Sequence, residues 1–417
     1  MNFTPADHSA TVKNIGASGT IGLMTKAALN YQHTMTYFLR RGQLIDLRNF
    51  LCTKTILPTG EGAGELAYYA VGPLLQRFPA LVPYPRYLEI EITSKCNKRC
   101  IMCEHTWWHE PSKELSLEEF KHLIDQFNLF WVTLAGEGDP FLNKDILGMI
   151  AYARSKHQSV YMDDSLDLVD SKTAYELVRL GLEGVYVSMD AGCKETYEAL
   201  KVGCNYDRTI SHLKGLLEAK KQLHSPLPEI CFRFVVNKKN MHEMSDMVEN
   251  IRKLGPRSSW GDGSKINFVG LLAYPETKEL LVEVFPQDEV SKAVRVSQEK
   301  DTLPIIFARS DGVNPSVNRC LAWAEPYCVL VPEHIIIPCC GVMMSNSRAK
   351  LKEYAFGDYT KESTKDIWNS KYYCWFRRQV TKQGGKVPAL CEGCRAYDTR
   401  ERELHYGVDR RKREDFE

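Results

Sequence analysis

The stretch Thr93-Ser94-Lys95-Cys96-Asn97-Lys98-Arg99-Cys100-Ile101-Met102-Cys103 sets three cysteines in a CxxxCxxC spacing on one polar loop. It follows an alternating run, Tyr87 to Thr93, that reads as a β-strand emptying into a loop. Thiols this close can wrap a single inorganic centre. Thiolates are the ligands of iron–sulfur clusters, and a [4Fe–4S] cluster has four irons. Three protein thiolates therefore leave one iron open to a ligand that is not protein. Ordinary buried cysteines behave as small hydrophobes, but Lys95, Asn97, Lys98 and Arg99 make this a polar loop. A zinc site is the stronger competitor, although a structural zinc needs a fourth ligand.

Composition narrows the classes. Of 417 residues, 44% are apolar and 26% charged, enough for a sizeable core. A net charge of +1 argues against a nucleic-acid surface or a polybasic membrane patch as the main business. No run approaches ~18 uninterrupted apolar residues, so no membrane span is expected. The start, MNFTPADHSATVKN, lacks the basic-then-apolar form of a secretory signal. Fourteen cysteines without a short disulfide framework suggest a reducing cytoplasm, where clustered cysteines are metal ligands.

Residues 1–84 read as a helical N-terminal extension, with helical apolar spacing over Ala27–Arg41, Leu44–Lys54 and Ala67–Phe78. A packing appendage over one end of the next domain is the preferred reading, and a lid the alternative. From Tyr87 onward, strands at 87–93, 131–136, 159–163, 184–190, 229–237 and 265–272 alternate with helices. The helices are expected at about 116–128, 143–156, 171–180, 205–222 and 240–254, the first opened by a Ser116/Glu119 capping box. Alternation of this kind means parallel strands with right-handed crossovers, and six units are too few for a closed eightfold barrel. Ligands on such sheets sit at the carboxyl ends of the strands.

Those ends carry the chemistry. Strand 2 runs into Gly136-Glu137-Gly138-Asp139-Pro140, where glycines admit close backbone approach and Asp139 offers a carboxylate for an ammonium group. Strand 4 ends in Ser188-Met189-Asp190, with Ser188, Asp190 and Tyr186 on one face. Strand 5 carries Cys231, Arg233, Val235 and Asn237 on one face, and strand 3 ends in Asp163-Asp164. An arginine fork and aspartates would suit a polyol, sugar or amino-sugar. A structural ion pair between Arg233 and an aspartate is the equal alternative. Residues 274–318 read as mixed helix and loop. Beyond them Cys320, Cys328, Cys339-Cys340, Cys374 and Cys391-Glu392-Gly393-Cys394 supply enough thiolates for a second metal site, with zinc a competitor on cysteine count alone.

The cysteine loop, down to Cys96-Asn97, resembles that of radical S-adenosylmethionine (radical SAM) enzymes. The resemblance implies an α/β fold, the open (β/α)6 partial TIM-like barrel, with Cys96, Cys100 and Cys103 on a [4Fe–4S] cluster that chelates S-adenosylmethionine. Met102 then stands near the adenine. Gly136, Gly138 and Asp139 hold the amino group, though Asp139 replaces a usual Glu and Glu137 a usual Gly. Ser188 and Asp190 face the ribose or methionine, and Asn237 lines the same cavity. Phe356-Gly357-Asp358-Tyr359, Ile367-Trp368-Asn369 and Phe376-Arg377-Arg378 before the late CxxC resemble the cysteine-rich SPASM or twitch extension of that family. Carried over, Cys320, Cys339, Cys391 and Cys394, with Cys339 ahead of Cys340, hold a second, auxiliary [4Fe–4S] cluster. The usual Asp-Gly hairpin before Pro338 is missing, as are further cysteine motifs, so the one-cluster form is expected.

The expected domains are the extension (1–84), the barrel (85–285), a linker (286–319), the auxiliary domain (320–398) and a charged tail (399–417). The resemblance implies a radical SAM enzyme that makes a 5′-deoxyadenosyl radical, takes a hydrogen atom from a small polar substrate such as a sugar or aminocyclitol, and oxidises or epimerises it. Arg233, Asp163 and Asp164 are the expected substrate-facing residues, and Cys193 or Cys204 the candidate hydrogen-atom donors. A flavodoxin- or ferredoxin-type electron donor is the implied partner. The alternatives are a radical SAM peptide maturase and, in another class, a zinc-stabilised binding module without turnover.

Overall fold

In the computed structural model, the described residues are 31–56, 84–107, 109–255, 264–272, 275–299, 303–308, 327–330, 333–381, 384–394 and 399–417. The expected helix over Ala67–Phe78 and the candidate ligand Cys320 lie outside them.

The six expected strands are present: β1 (Tyr87–Glu91), β2 (Trp131–Ala135), β3 (Ser159–Asp164), β4 (Gly184–Ser188), β5 (Glu229–Val236) and β6 (Lys265–Gly270). Four more join them: β7 (Ile305–Ala308), β8 (Tyr327–Leu330), β9 (Ile335–Ile337) and β10 (Gly357–Asp358). One ten-stranded open sheet runs in the order β10-β9-β8-β1-β2-β3-β4-β5-β6-β7. Every neighbouring pair from β8 through to β7 is parallel, and β9 and β10 are antiparallel additions at one edge. β7 lies within the stretch read as mixed helix and loop. Its Ile-Ile-Phe-Ala core, just after Pro304, is too short for periodicity to separate a buried strand from a helix fragment.

Alternation sorts the strand side chains into two environments. Leu88, Ile90, Val132, Leu134, Val160, Met162, Val185, Val187, Phe232, Phe234, Ile266 and Phe268 belong to one buried apolar core against the helices. The opposite set faces the barrel interior and includes Glu89, Thr133, Asp163, Tyr186, Ser188, Arg233 and Asn267, paired across neighbouring strands in register. The helices between the strands start as their sequences dictate. Ser116 and Glu119 form the reciprocal capping box of helix Leu117–Asp125, and Asp170 and Asn205 cap Ser171–Leu180 and Tyr206–Gln222.

Helix 31–40 and helix Leu44–Ile56 pack against the foot of the barrel. Arg154 bridges Asp46 of the second helix (2.7 Å) and Glu183 just before β4 (2.9 Å), and Asn49 donates to the carbonyl of His157 ahead of β3. Tyr31, Phe38 and Phe50 close over Leu227, just ahead of β5. This part of the extension therefore covers the end opposite the strand carboxyl termini.

The cysteine-rich end is built on aromatic packing. Phe356 stacks on Tyr373 at 4.1 Å, Trp368 meets Tyr373 edge-on, and the Arg377 guanidinium lies 4.0 Å above Trp368 while donating to its carbonyl. These are residues of the Phe-Gly-Asp-Tyr, Ile-Trp-Asn and Phe-Arg-Arg stretches.

Candidate active site

The loop after β1 is pinned on all sides. Ser94 pairs with the backbone of Lys113 in both directions. Arg99–Cys100 forms a two-residue antiparallel ladder with Lys201–Val202, Ile101 N–H donates to the carbonyl of Leu200, and Thr106 donates to the carbonyl of Cys100. Cys96, Cys100 and Cys103 are half-buried and none is in a disulfide. Burial raises all three thiols, Cys100 to about 11, because a thiolate loses its hydration there. A bound cationic centre would reverse that balance and hold thiolates. Among the described residues no group of three or more His, Cys, Asp or Glu side chains converges in metal-ligating geometry. The donor set nevertheless suits a thiolate-held iron centre: three thiols on one rigidly anchored loop, with no disulfide competing for them.

The glycine loop after β2 lies flat on this loop. A Cβ on Gly138 would stand 2.1 Å from the carbonyl oxygen of Thr93, and Gly136, at φ +143°, would put one 2.4 Å from Glu91. Only glycine fits either position. Asp139 N–H donates to the carbonyl of Lys95 at 2.7 Å. The Asp139 carboxylate forms a buried ion pair with Lys98 and accepts from Phe141 N–H, so it already has a cation.

On the far side, Asn237 Nδ2 approaches Met102 Sδ at 3.7 Å, bringing those two expected cofactor contacts together. Asp190 is anchored through both oxygens: Oδ1 accepts from Val235 N–H (2.8 Å) and Oδ2 pairs with the buried Lys201 ammonium (3.2 Å), which also donates to the carbonyl of Ser188. It ties β4, β5 and the segment beneath the cysteine loop together.

Inside the barrel, Arg233 Nη1 lies 2.8 Å from Asp163 Oδ1, and its guanidinium sits 4.7 Å from the Tyr186 ring centre. The expected pairing of arginine and aspartate therefore forms. Its partners are 33% and 23% exposed, so the pair lines the interior and is not sealed in the core. Asp163 is raised by burial, with Arg233 pulling the other way. Asp164 points away from this pair, as strand alternation requires. It is buried, accepts from Leu166 N–H, and is pushed up to about 8 by burial and by Asp139, against the pull of Lys98. Asp163 and Asp164 thus do not act on one ligand side by side.

Sequence reasoning passed over Glu89 and Arg348 in this region and weighed Cys340 only as a second choice to Cys339 for a cluster ligand. Glu89, on the inner face of β1, meets Cys340, Asp163 and Arg233; burial, then Cys340 and Asp163, raise its carboxyl well above the usual range. Alternation backward from Glu91 would have found it. Cys340 reaches Glu89 across the sheet, a contact no local pattern signals. Arg348, 2% exposed, clamps Glu91 through two contacts (2.7 and 2.5 Å) and lies 3.9 Å from Glu137, linking the cysteine-rich end to the loops after β1 and β2.

Cys339 caps the short helix Cys340–Met343 and accepts from Val342 N–H. Cys391 is buried at the end of the turn Ala389–Cys391, and the Cys394 N–H donates back to its carbonyl.

The profile of the radical SAM superfamily matches residues 90–251, which span β1 through β5 and the cysteine loop. Residues 90–251 therefore form a radical SAM domain. The SPASM profile, described as an iron–sulfur cluster-binding domain, matches residues 320–395. Together they imply [4Fe–4S] chemistry and S-adenosylmethionine binding. A Pyrococcus furiosus tungsten-containing aldehyde ferredoxin oxidoreductase cofactor-modifying protein is 22% identical over 70% of this chain and 83% of its own. The mycofactocin maturase MftC of Mycolicibacterium smegmatis is 25% identical over 35% of this chain and 38% of its own. Among solved structures, Streptococcus suis SuiB bound to S-adenosylmethionine shares the fold at a TM-score of 0.57 and 13% identity, over 87% of this chain and 82% of that one. SuiB bound to its precursor peptide SuiA gives 0.58 and 14% over 80% and 74%. No helix among the described residues is long and apolar enough to cross a membrane.

Proposed function

We propose that this radical SAM enzyme acts on a small polar substrate, a sugar, aminocyclitol or similar compound, and oxidises or epimerises it at an unactivated carbon. The observation that carries the reading is the polar wall inside the barrel, where Arg233, Asp163, Glu89 and Tyr186 meet. Cys96, Cys100 and Cys103 would hold a [4Fe–4S] cluster, which when bound would supply the electron for reductive cleavage of S-adenosylmethionine.

The chain's own residues do the rest. Met102 and Asn237 shape the adenine side, Gly136 and Gly138 let the backbone approach, and Asp139 with Ser188 and Asp190 accepts polar hydrogens of the cofactor. Arg233 and Asp163 hold substrate hydroxyl or amino groups. Cys320, Cys339, Cys391 and Cys394 hold one auxiliary cluster, giving two in all, and a low-potential flavodoxin- or ferredoxin-type protein is the electron source. The buried side-chain oxygen of Asn267, in register with Arg233, accepts no hydrogen bond from the described residues and suits a donor on the substrate.

A peptide maturase is the second reading, favoured by MftC and by the peptide-bound SuiB neighbour. The experiment that separates them measures how fast 5′-deoxyadenosine forms when reconstituted enzyme meets a panel of aminocyclitols and sugars or a panel of peptides. Stimulation by a polar small molecule supports the proposal. Stimulation by peptides alone overturns it.

A further inference from the structure

Residues 399–417 lie beyond the stretch matched by the SPASM profile, which ends at 395, yet they wrap the turn that carries Cys391 and Cys394. Helix Arg400–Tyr406 starts at Thr399, and its first turn sets the Glu403 carboxylate on that turn, where Oε1 accepts from Gly393 N–H at 2.7 Å. Gly393, between the two cysteines, sits at φ +71°, a left-handed position that favours glycine. The hydroxyl of the buried Thr399 lies 3.1 Å from the carbonyl of Cys391 and against the same Glu403 oxygen. Thr399 N–H reaches the carbonyl of Cys394 at 3.4 Å. Glu392, also in the turn, is gripped by Arg410 through two contacts (3.0 and 3.3 Å) and by Lys350 at 3.4 Å. The helix is itself fixed. Arg402 donates to the carbonyls of Gly385 and Gln379, Val408–Asp409 pairs in parallel with Val387–Pro388, and Phe416 packs on Tyr372 and Trp375. From the other side, Asn346 donates to the carbonyls of Val342 and Leu390, which brings helix Cys340–Met343, capped by Cys339, to the same turn.

We propose that Glu403 and Thr399 are positioning residues for the auxiliary cluster, presenting Cys391 and Cys394 as a preformed ligand pair. This rests on the assignment of those cysteines to that cluster under the proposed function. A turn that is loose before it takes up metal must give up its conformational entropy on binding. Here the Gly393 N–H and the carbonyls of Cys391 and Cys394 are all held by two residues one helical turn apart, so the turn is set in advance. Neither cysteine is in a disulfide, and two thiols three positions apart on a fixed turn suit a thiolate-held cluster. The charged stretch that composition sets apart as a tail is thus the outer support of the late ligand pair.

The test isolates the auxiliary site. Full-length protein with Cys96, Cys100 and Cys103 replaced by Ala keeps only that site; it is reconstituted anaerobically and mixed with a ferrous-iron chelator whose colour reports release. In this background Glu403→Ala and the isosteric Thr399→Val should release iron about tenfold or more faster than the parent, the usual scale for losing a partner that orients a metal ligand. Glu403→Gln keeps an oxygen that accepts from Gly393 N–H and should stay close to the parent. In the otherwise native holoenzyme, Glu403→Ala should still cleave S-adenosylmethionine, because the first cluster is untouched. Equal release from the parent, Glu403→Ala and Thr399→Val overturns the assignment and leaves the proposed function standing. Release from Glu403→Gln as fast as from Glu403→Ala also overturns it. So does faster release accompanied by a urea midpoint below that of the metal-free parent, which would make both residues supports of the fold. A parent that takes up no iron would instead strike the auxiliary-cluster reading itself, and this proposal with it.

Discussion

At the scale of single residues, the account depends on which carboxylates are already occupied. Asp139 holds Lys98 and would share its charge with a cofactor ammonium. Charge-assisted hydrogen bonds contribute roughly 1.5–3 kcal/mol, so Asp139→Asn is expected to weaken S-adenosylmethionine binding about ten- to a hundredfold without loss of iron. Unchanged affinity in equilibrium dialysis would confine Asp139 to its pair with Lys98. Arg233→Ala and Asp163→Ala should retain both clusters and lose substrate-stimulated turnover by about 10²–10³, the usual cost of a positioned polar group. If iron is lost, the pair is structural. Asp164 belongs to stability. Its folded value near 8 lies above its ordinary 3.8, so the folded state binds the proton more tightly and its contribution fades as pH rises between those values. The slope is at most about 1.4 kcal/mol per pH unit. Asp164→Asn should therefore gain stability over wild type at pH 7.5 compared with pH 5 in urea titrations, and a difference independent of pH would contradict the assignment.

At the scale of elements, strand and helix placement was legible because it is written locally. The capping box at Ser116 and the apolar alternation of β1 to β6 need no distant partner to be read. Three things were not written locally. β7 is too short to carry a period. β8 takes its place beside β1 only because the chain returns across the sheet. The seam between the sheet and the cysteine-rich end is set by Arg348 and Glu91, 257 positions apart in sequence. Alternation did separate Asp163 from Asp164 in principle, yet adjacency in sequence suggested a shared role that the strand forbids. Removing one partner of a buried ion pair costs about 3–5 kcal/mol because the other charge is stranded. Arg348→Met is expected to lower stability by that order in urea unfolding, and Arg348→Met combined with Glu91→Met to recover part of the loss. A single variant within 1 kcal/mol of wild type, on the scale of ordinary surface changes, would show that the seam is not held there.

At the scale of the whole molecule, chemistry and support occupy opposite ends. Helices 31–40 and Leu44–Ile56 cover the foot of the barrel through Asp46, Asn49 and Phe50, while the cysteine loop, the glycine loop and Cys340 gather about the carboxyl ends and inner wall of the strands. The cysteine-rich end is not a separate bead, since β8 to β10 continue the same sheet. One measurement bears on all of this most directly: the iron content and 5′-deoxyadenosine output of anaerobically reconstituted protein, with Cys96, Cys100 and Cys103 intact or replaced together by Ala. The account predicts about eight irons per chain and reductive cleavage for wild type, from two four-iron clusters. It predicts about four irons and no 5′-deoxyadenosine for the triple variant. A triple variant that still cleaves S-adenosylmethionine, or a wild type that binds zinc and no iron, would contradict it.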